Sequence, residues 1–210
     1  MSNEALRRRL AKQQWTAHNI RLTNELTTMP GRPDFMETDR RLQAMMRVLT
    51  VFYRNRLTGL RIADLGCLEG GFSVALAMQG ADVTGIEARR ANLEKCFLLQ
   101  EHFRLPNLRF VQLDVKGFTK EVFGAFDVVI AFGILYHLDK PVEWLQQISK
   151  ATQGVLIVDS HYAPEEDASL RLLDPSLARL GKLQRVEVDG SEYEGHWYVE
   201  RGERQKGGYA

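Results

Sequence analysis

Cysteine is scarce in this 210-residue chain: Cys67 and Cys96 are the only two, with no C-x-x-C and no metal-like spacing. That rules out a disulfide scaffold and gives no ground for a metal centre, so both are expected to be free thiols. No apolar run approaches the roughly 20 residues that a membrane span needs. The basic N-terminus lacks the apolar core of a signal peptide, so the cytoplasm is the expected compartment and no membrane partner is expected. Internal repeats and low-complexity tracts are missing too. Net charge is small, at +1, which argues against a strongly basic nucleic-acid binder. The small net charge hides an asymmetry, however. Residues 1–61 carry 12 Lys/Arg against 5 Asp/Glu, a balance of +7, so the remainder balances at −6. A basic arm on an acidic body can meet RNA, a phosphorylated substrate, or the body itself.

Hydrophobic residues make up 44% of the chain, enough for one full core with an arm. Residues 4–22 read as an amphipathic helix with Leu6, Leu10, Trp15 and Leu22 on its apolar side. Met29-Pro30-Gly31-Arg32-Pro33 breaks the chain. A second helix is predicted over 38–55, where Leu42, Met45, Met46, Leu49, Phe52 and Tyr53 keep helical spacing. Strands are then expected at 60–65, 82–87, 108–113, 126–132 and 153–159, and helices near 71–79, 89–103, 116–122 and 140–151. Gly80 suits the position after a helix end, and Pro141 suits a first helical turn. Continuous apolar strands such as Val128-Val129-Ile130-Ala131 imply burial on both faces, as in a parallel sheet. The alternation predicts an α/β, Rossmann-like, doubly wound and mostly parallel sheet. Beyond Asp159 the pattern fades: 164–180 is expected to be helical in part, Lys182–Val188 and His196–Glu200 to form a hairpin, and 202–210 a mobile tail. Three segments follow: an arm over 1–58, a core over 59–160 and an irregular, substrate-side segment over 161–210.

Between strand and helix the chain reads Asp64-Leu65-Gly66-Cys67-Leu68-Glu69-Gly70-Gly71. Glycines let backbone approach a ligand closely, and a helix start offers free N–H donors, so this is a nucleotide-type cofactor loop. Its spacing fits neither G-x-G-x-x-G nor the phosphate loop ending in G-K-S/T. Ligands in such sheets bind at the carboxyl ends of the strands. There, Glu87 can accept hydrogen bonds from ribose hydroxyls, Asp114 can accept from an adenine amino group, and Ala88 and Val115 can wall an adenine ring.

Taken together, these segments resemble class I S-adenosylmethionine-dependent methyltransferases over about residues 60–160. The residues carrying the likeness are Asp64-x-Gly66-Cys67-x-x-Gly70, Gly85-Ile86-Glu87, Leu113-Asp114-Val115, and Phe126-Asp127-Val128-Val129 leading into Phe132-Gly133. Many members have glycine where Leu68 stands. The phrase Gly133-Ile134-Leu135-Tyr136-His137-Leu138 is similar to a subgroup that includes tRNA wobble-uridine carboxymethyltransferases. The opening Trp15-x-x-His18-Asn19-Ile20, Asp159-Ser160-His161-Tyr162 and the segment Tyr193–Tyr198 look like a bacterial branch whose members continue further, which suggests a truncated C-terminal end.

The resemblance implies S-adenosylmethionine as donor and S-adenosylhomocysteine as product; the spacing of Asp139, Asp159 and His161 is not that of a metal site, so no metal is expected. The implied cofactor-binding set is Asp64, Gly66, Cys67, Leu68, Gly70, Glu87, Ala88, Asp114, Val115, Phe132 and Gly133. Candidate bases are His137 and His161, with Asp159 able to orient either; Trp15, His18, Asn19 and Tyr136 fall on the substrate side. His18 is a third candidate base, Trp15 either caps the pocket or staples the arm, and Tyr136 and Phe132 can offer ring faces to a sulfonium. The leading acceptor is an oxygen or nitrogen of a small molecule. RNA modification and a non-catalytic cofactor-binding protein are the alternatives, and assembly as a homodimer stays open.

Overall fold

The computed structural model describes residues 2–160, 180–188 and 190–198. Met1–Ser160 form one compact unit and His161–Ala210 a second. In the first unit, helices α1 (Asn3–Leu10) and α2 (Arg40–Phe52) precede the alternation β1 (Arg61–Leu65), α3 (Gly71–Met78), β2 (Asp82–Glu87), α4 (Arg90–Phe103), β3 (Leu108–Gln112), α5 (Lys120–Phe123), β4 (Phe126–Phe132), α6 (Pro141–Ala151), β5 (Thr152–Asp159). The five strands form one parallel sheet in the order β3-β2-β1-β4-β5. Strand order reverses between β1 and β4, so the crevice for a ligand opens beyond their carboxyl ends. Among the described residues, no helix is long and apolar enough to cross a membrane.

Side-chain alternation sends successive residues to opposite faces of the sheet. Ile62, Val83, Val128 and Ile130 join Leu42, Met45 and Leu49 of α2, Leu76 of α3 and Leu99 of α4 in one core. Ala63, Leu65, Ile86, Val129 and Ala131 join Phe118, Phe126, Trp144 and Ile148 in the other. Local chemistry sets the helix ends. The Asp39 carboxylate accepts from the Arg41 and Leu42 N–H groups and starts α2. Gly80, at φ +89°, ends the turn after α3.

The arm departs from its sequence pattern. α1 stops at Leu10, not at residue 22, and residues 11–39 run as irregular chain broken by a short 3-10 turn over Met36–Thr38. Apolar spacing alone does not make a helix here, because backbone N–H groups of residues 16–18 find a stronger acceptor elsewhere. The arm is nonetheless part of the core, with Leu6, Ile20, Leu22 and Leu26 all buried. The predicted helix over 116–122 resolves into a 3-10 turn, Val115–Gly117, followed by the single turn of α5.

In the second unit, β6 (Leu180–Val188) and β7 (Ser191–Tyr198) pair antiparallel, with Val188 opposite Ser191. The hairpin turn is therefore much tighter than the expected loop over 189–195. Asp-Gly at 189–190 is a two-residue turn signal that the sequence reading passed over. The expected helix over 164–180 and the tail over 202–210 lie outside the described residues, apart from Leu180, which opens β6.

One glycine sets the packing under the crevice. Gly85 sits between Asp64 of β1 and Phe110 of β3 in register, and a Cβ there would lie 2.5 Å from the Phe110 ring. That missing methyl group lets the ring cross β2 and reach Gly70, where a Cβ would meet it at 2.9 Å. Gly85→Ala is expected to lower stability by about 1–3 kcal/mol through overpacking, read as a lower urea midpoint with unchanged slope.

Candidate cofactor and active site

The loops after β1, β2, β3 and β4 meet at the crevice. The β1 loop curls tightly: Gly66, Leu68 and Gly70 all have positive φ, at +70°, +53° and +79°. The Cys67 N–H donates to Ile86 O and ties the loop to β2. Asp64, buried at the end of β1, accepts a 2.6 Å hydrogen bond from the Ser73 hydroxyl. Burial, reinforced by the Glu87 charge and opposed by Ser73, raises its pKa to about 6. Cys67 and Cys96 are both free and buried, and burial pushes the Cys67 thiol well up. Such a thiol stays protonated and is a poor nucleophile.

At the end of β2, Glu87 is 4% exposed, and its Oε1 accepts from the Arg89 N–H at 2.8 Å. Ala88 is exposed beside it, with its carbonyl accepting from Gln112 Nε2. After β3, Asp114 is exposed and accepts from the Lys116 N–H, so its carboxylate caps the Val115–Gly117 turn. Val115 is buried, and its carbonyl accepts from Trp144 Nε1. After β4, Gly133 takes φ +64°, and a Cβ there would lie 3.0 Å from the Tyr136 hydroxyl. The Phe132 ring meets Phe72 edge-on at 5.3 Å, and His137 is half-buried with its ring 4.4 Å from that of Tyr136. Gly133 N–H donates to Asp159 O, tying the ends of β4 and β5 together. His161 lies outside the described residues.

The arm enters this site through a residue that the sequence reading did not single out. Glu69 is fully buried inside the β1 loop. Its carboxylate accepts from the Thr16 N–H and hydroxyl, the Ala17 N–H and the His18 N–H, at 2.7–3.1 Å. Lys95, on the core-facing side of α4, completes the set at 2.8 Å. Burial alone would raise the Glu69 pKa; the His18 N–H, Lys95 and the Thr16 N–H outweigh it and hold the carboxyl below its usual range. One signal was available in the sequence. Lys95 shares the apolar face of α4 with Asn92, Cys96 and Leu99, and a lysine there needs a buried acid.

His18 and Asn19 accordingly hold the arm together. His18 is 3% exposed, and its Nδ1 accepts the Gly71 N–H at the first turn of α3. That lone pair is engaged, so the ring is not placed to act as a base. Asn19 accepts from the Met29 N–H and donates to Arg32 O, closing the loop between them. Trp15 is half-buried against the core, with the Lys95 ammonium 5.8 Å from its ring centre, and so has the staple position. Five of the arm's arginines form exposed ion pairs: Arg7 with Glu25, Arg8 with Glu4, Arg9 with Glu101, Arg21 with Glu37 and Arg41 with Asp39.

Comparison with known proteins follows the same outline. The methyltransferase domain family matches residues 57–202. The ubiquinone biosynthesis O-methyltransferase of Psychrobacter arcticus is 37% identical over 107 residues, which is 50% of this chain and 42% of that protein. The O-antigen chain terminator bifunctional methyltransferase/kinase WbdD of Escherichia coli is 30% identical over 109 residues, 47% of this chain and 15% of that protein. The chain thus matches less than half the length of either relative. Among solved structures, the N-terminal domain of EvdMO1 with S-adenosylhomocysteine and D-fucose superposes with a TM-score of 0.70 at 23% identity, covering 98% of this chain and 77% of that one. Magnesium protoporphyrin IX methyltransferase from Synechocystis, with S-adenosylmethionine bound, gives 0.51 at 20% identity, covering 79% and 84%. At these identities the superpositions establish the shared fold.

Burial and the Arg41 charge depress the His18 pKa from 6.5 to about 4, with Glu69 opposing them. The folded ring stays neutral where the unfolded one gains a proton, so His18 withdraws stability as pH falls from about 6.5 to about 4. Asp64 works in the other direction. Its folded pKa of about 6 lies above 3.8, so it adds stability as pH falls through that window. Because the two effects oppose each other, a melting curve hides both. An NMR titration of the His18 ring resonances reads one alone, and its midpoint is expected near 4; a midpoint near 6.5 would mean a solvated ring.

Proposed function

Because the chain belongs to the methyltransferase domain family, we propose that it is an S-adenosylmethionine-dependent enzyme that methylates an oxygen or nitrogen of a small molecule. One observation carries this reading: the buried Glu87 carboxylate stands at the end of β2, one strand away from a left-handed glycine turn at the end of β1. A carboxylate there suits the two hydroxyls of a ribose, and a turn of that shape exposes backbone to the rest of the cofactor. The residues present fit the group.

When bound, the sulfonium would supply an activated methyl group, which the acceptor takes by in-line attack with the thioether sulfur as leaving group. The chain supplies orientation and exclusion of water. Glu87 holds the ribose, Asp114 and Val115 border the adenine with Ala88, and Asp64 braces the turn through Ser73. Phe132 and Gly133 close the crevice from β4. An alcohol or phenol acceptor also needs a base, and His137, beside the exposed Tyr136, is our candidate in the described residues. His161 remains a candidate for the same task, with Asp159 able to orient either histidine. The name of the Psychrobacter relative favours oxygen as the accepting atom. A cytoplasmic location belongs to the same reading, since two unpaired thiols suit a reducing compartment.

An RNA acceptor rests on the Gly133–Leu138 phrase and the basic arm. The pairing of Arg9 with Glu101 of α4 favours docking of the arm on the body.

Calorimetry with S-adenosylhomocysteine tests the cofactor assignment. Glu87→Ala is expected to weaken binding by about 1–3 kcal/mol, roughly fivefold to 150-fold, and unchanged affinity would point to another carboxylate. For the chemistry, His137→Ala should keep that affinity while labelled-methyl transfer slows by roughly 100-fold or more. Tight binding with no transfer to any acceptor would instead support a non-catalytic role.

A further inference from the structure

The arm grips the cofactor turn on both sides of one glycine. Glu69, before Gly70, receives four hydrogen bonds from Thr16, Ala17 and His18; Gly71, after it, donates to the His18 ring. Immediately upstream, Leu68 holds φ +53°, a left-handed conformation that a branched L-residue rarely adopts. Among the other contacts of that residue, its carbonyl accepts from Cys96 Sγ at 3.3 Å, a weak restraint. The strong restraint is next door, in the Glu69 carboxylate.

We propose that Glu69 is a positioning residue for the cofactor: by fixing the arm to the turn it holds Leu68 left-handed, so arm docking and formation of the binding turn are one equilibrium. This rests on the cofactor assignment above. The docked state is not over-satisfied. Among the described residues, Trp15 Nε1 and Asn92 Nδ2, on residues in contact with Lys95, are buried donors with no hydrogen-bond partner. Each unpaired donor weakens the contact of residues 15–18 with the turn, so this stretch, and not the buried Leu6, Leu22 and Leu26, is what releases. In the released state Leu68 relaxes to an ordinary backbone and the turn opens. The cofactor then binds only when the arm returns.

The test is a set of S-adenosylhomocysteine affinities. Glu69→Gln with Lys95→Met removes both buried charges together, so neither is left uncompensated. This pair of substitutions is expected to weaken binding by about tenfold or more. Adding Leu68→Gly should restore most of the loss, because glycine takes the left-handed turn without the arm's help. Full affinity in the Glu69→Gln/Lys95→Met protein would overturn the proposal, and so would a loss that Leu68→Gly fails to recover. Should that paired variant not fold, Ala17→Pro deletes one arm donor without touching the core, and it must weaken binding in the same direction. No binding by the wild-type chain removes the cofactor assignment itself, a different failure from normal wild-type binding with indifferent variants.

Discussion

A single buried carboxylate fixes the path of residues 16–18 over the turn that follows β1. A charged Glu69 needs donors in a dry interior, and among the described residues the turn after β1 gives it no hydrogen bond. Three consecutive residues of the arm and the Lys95 ammonium provide them. Two consequences follow from that one requirement. The helix of the arm cannot run on through residues 16–18, because their N–H groups are committed to Glu69. The turn that follows β1, in exchange, becomes part of a clamped unit extending from α4 through the turn to the arm. His18 joins the same unit by taking the Gly71 N–H, which otherwise would be an orphan donor at the start of α3.

Much of the sheet was legible in the sequence because its signals are local. The edges of β2 and β4 coincide with their apolar runs, Gly80 and Pro141 mark helix limits, and the alternation of strand and helix leaves one economical architecture. The arm was not legible in the same way. Leu6, Leu10, Trp15 and Leu22 have helical spacing, yet the bonds that override it join positions more than 50 residues apart. No window on the arm contains that information. The hairpin of β6 and β7 is a different kind of miss, since Asp189-Gly190 was a local signal.

The site divides along the same line. Asp64, Gly66, Gly70 and Glu87 can be placed from strand ends and glycine spacing, because the fold puts strand ends in one crevice. Leu68 stood out as the residue where glycine is usual, and the structure gives it the backbone that glycine would take. What supports Leu68 there could not be read from its neighbours. His18 and Asn19 belong to the arm's own framework, and their polarity serves the chain's backbone. That shifts attention for the acceptor toward the β4 loop, where Tyr136 is exposed and His137 stands beside it.

Coupling between arm and turn has a direct physical reading in amide hydrogen exchange. Opening the arm exposes the Thr16, Ala17 and His18 N–H groups, so their protection reports the population of the docked state. Saturating S-adenosylhomocysteine is predicted to slow exchange at these three amides together with Gly71. Slower exchange at the turn with no change at Thr16, Ala17 and His18 would contradict the account.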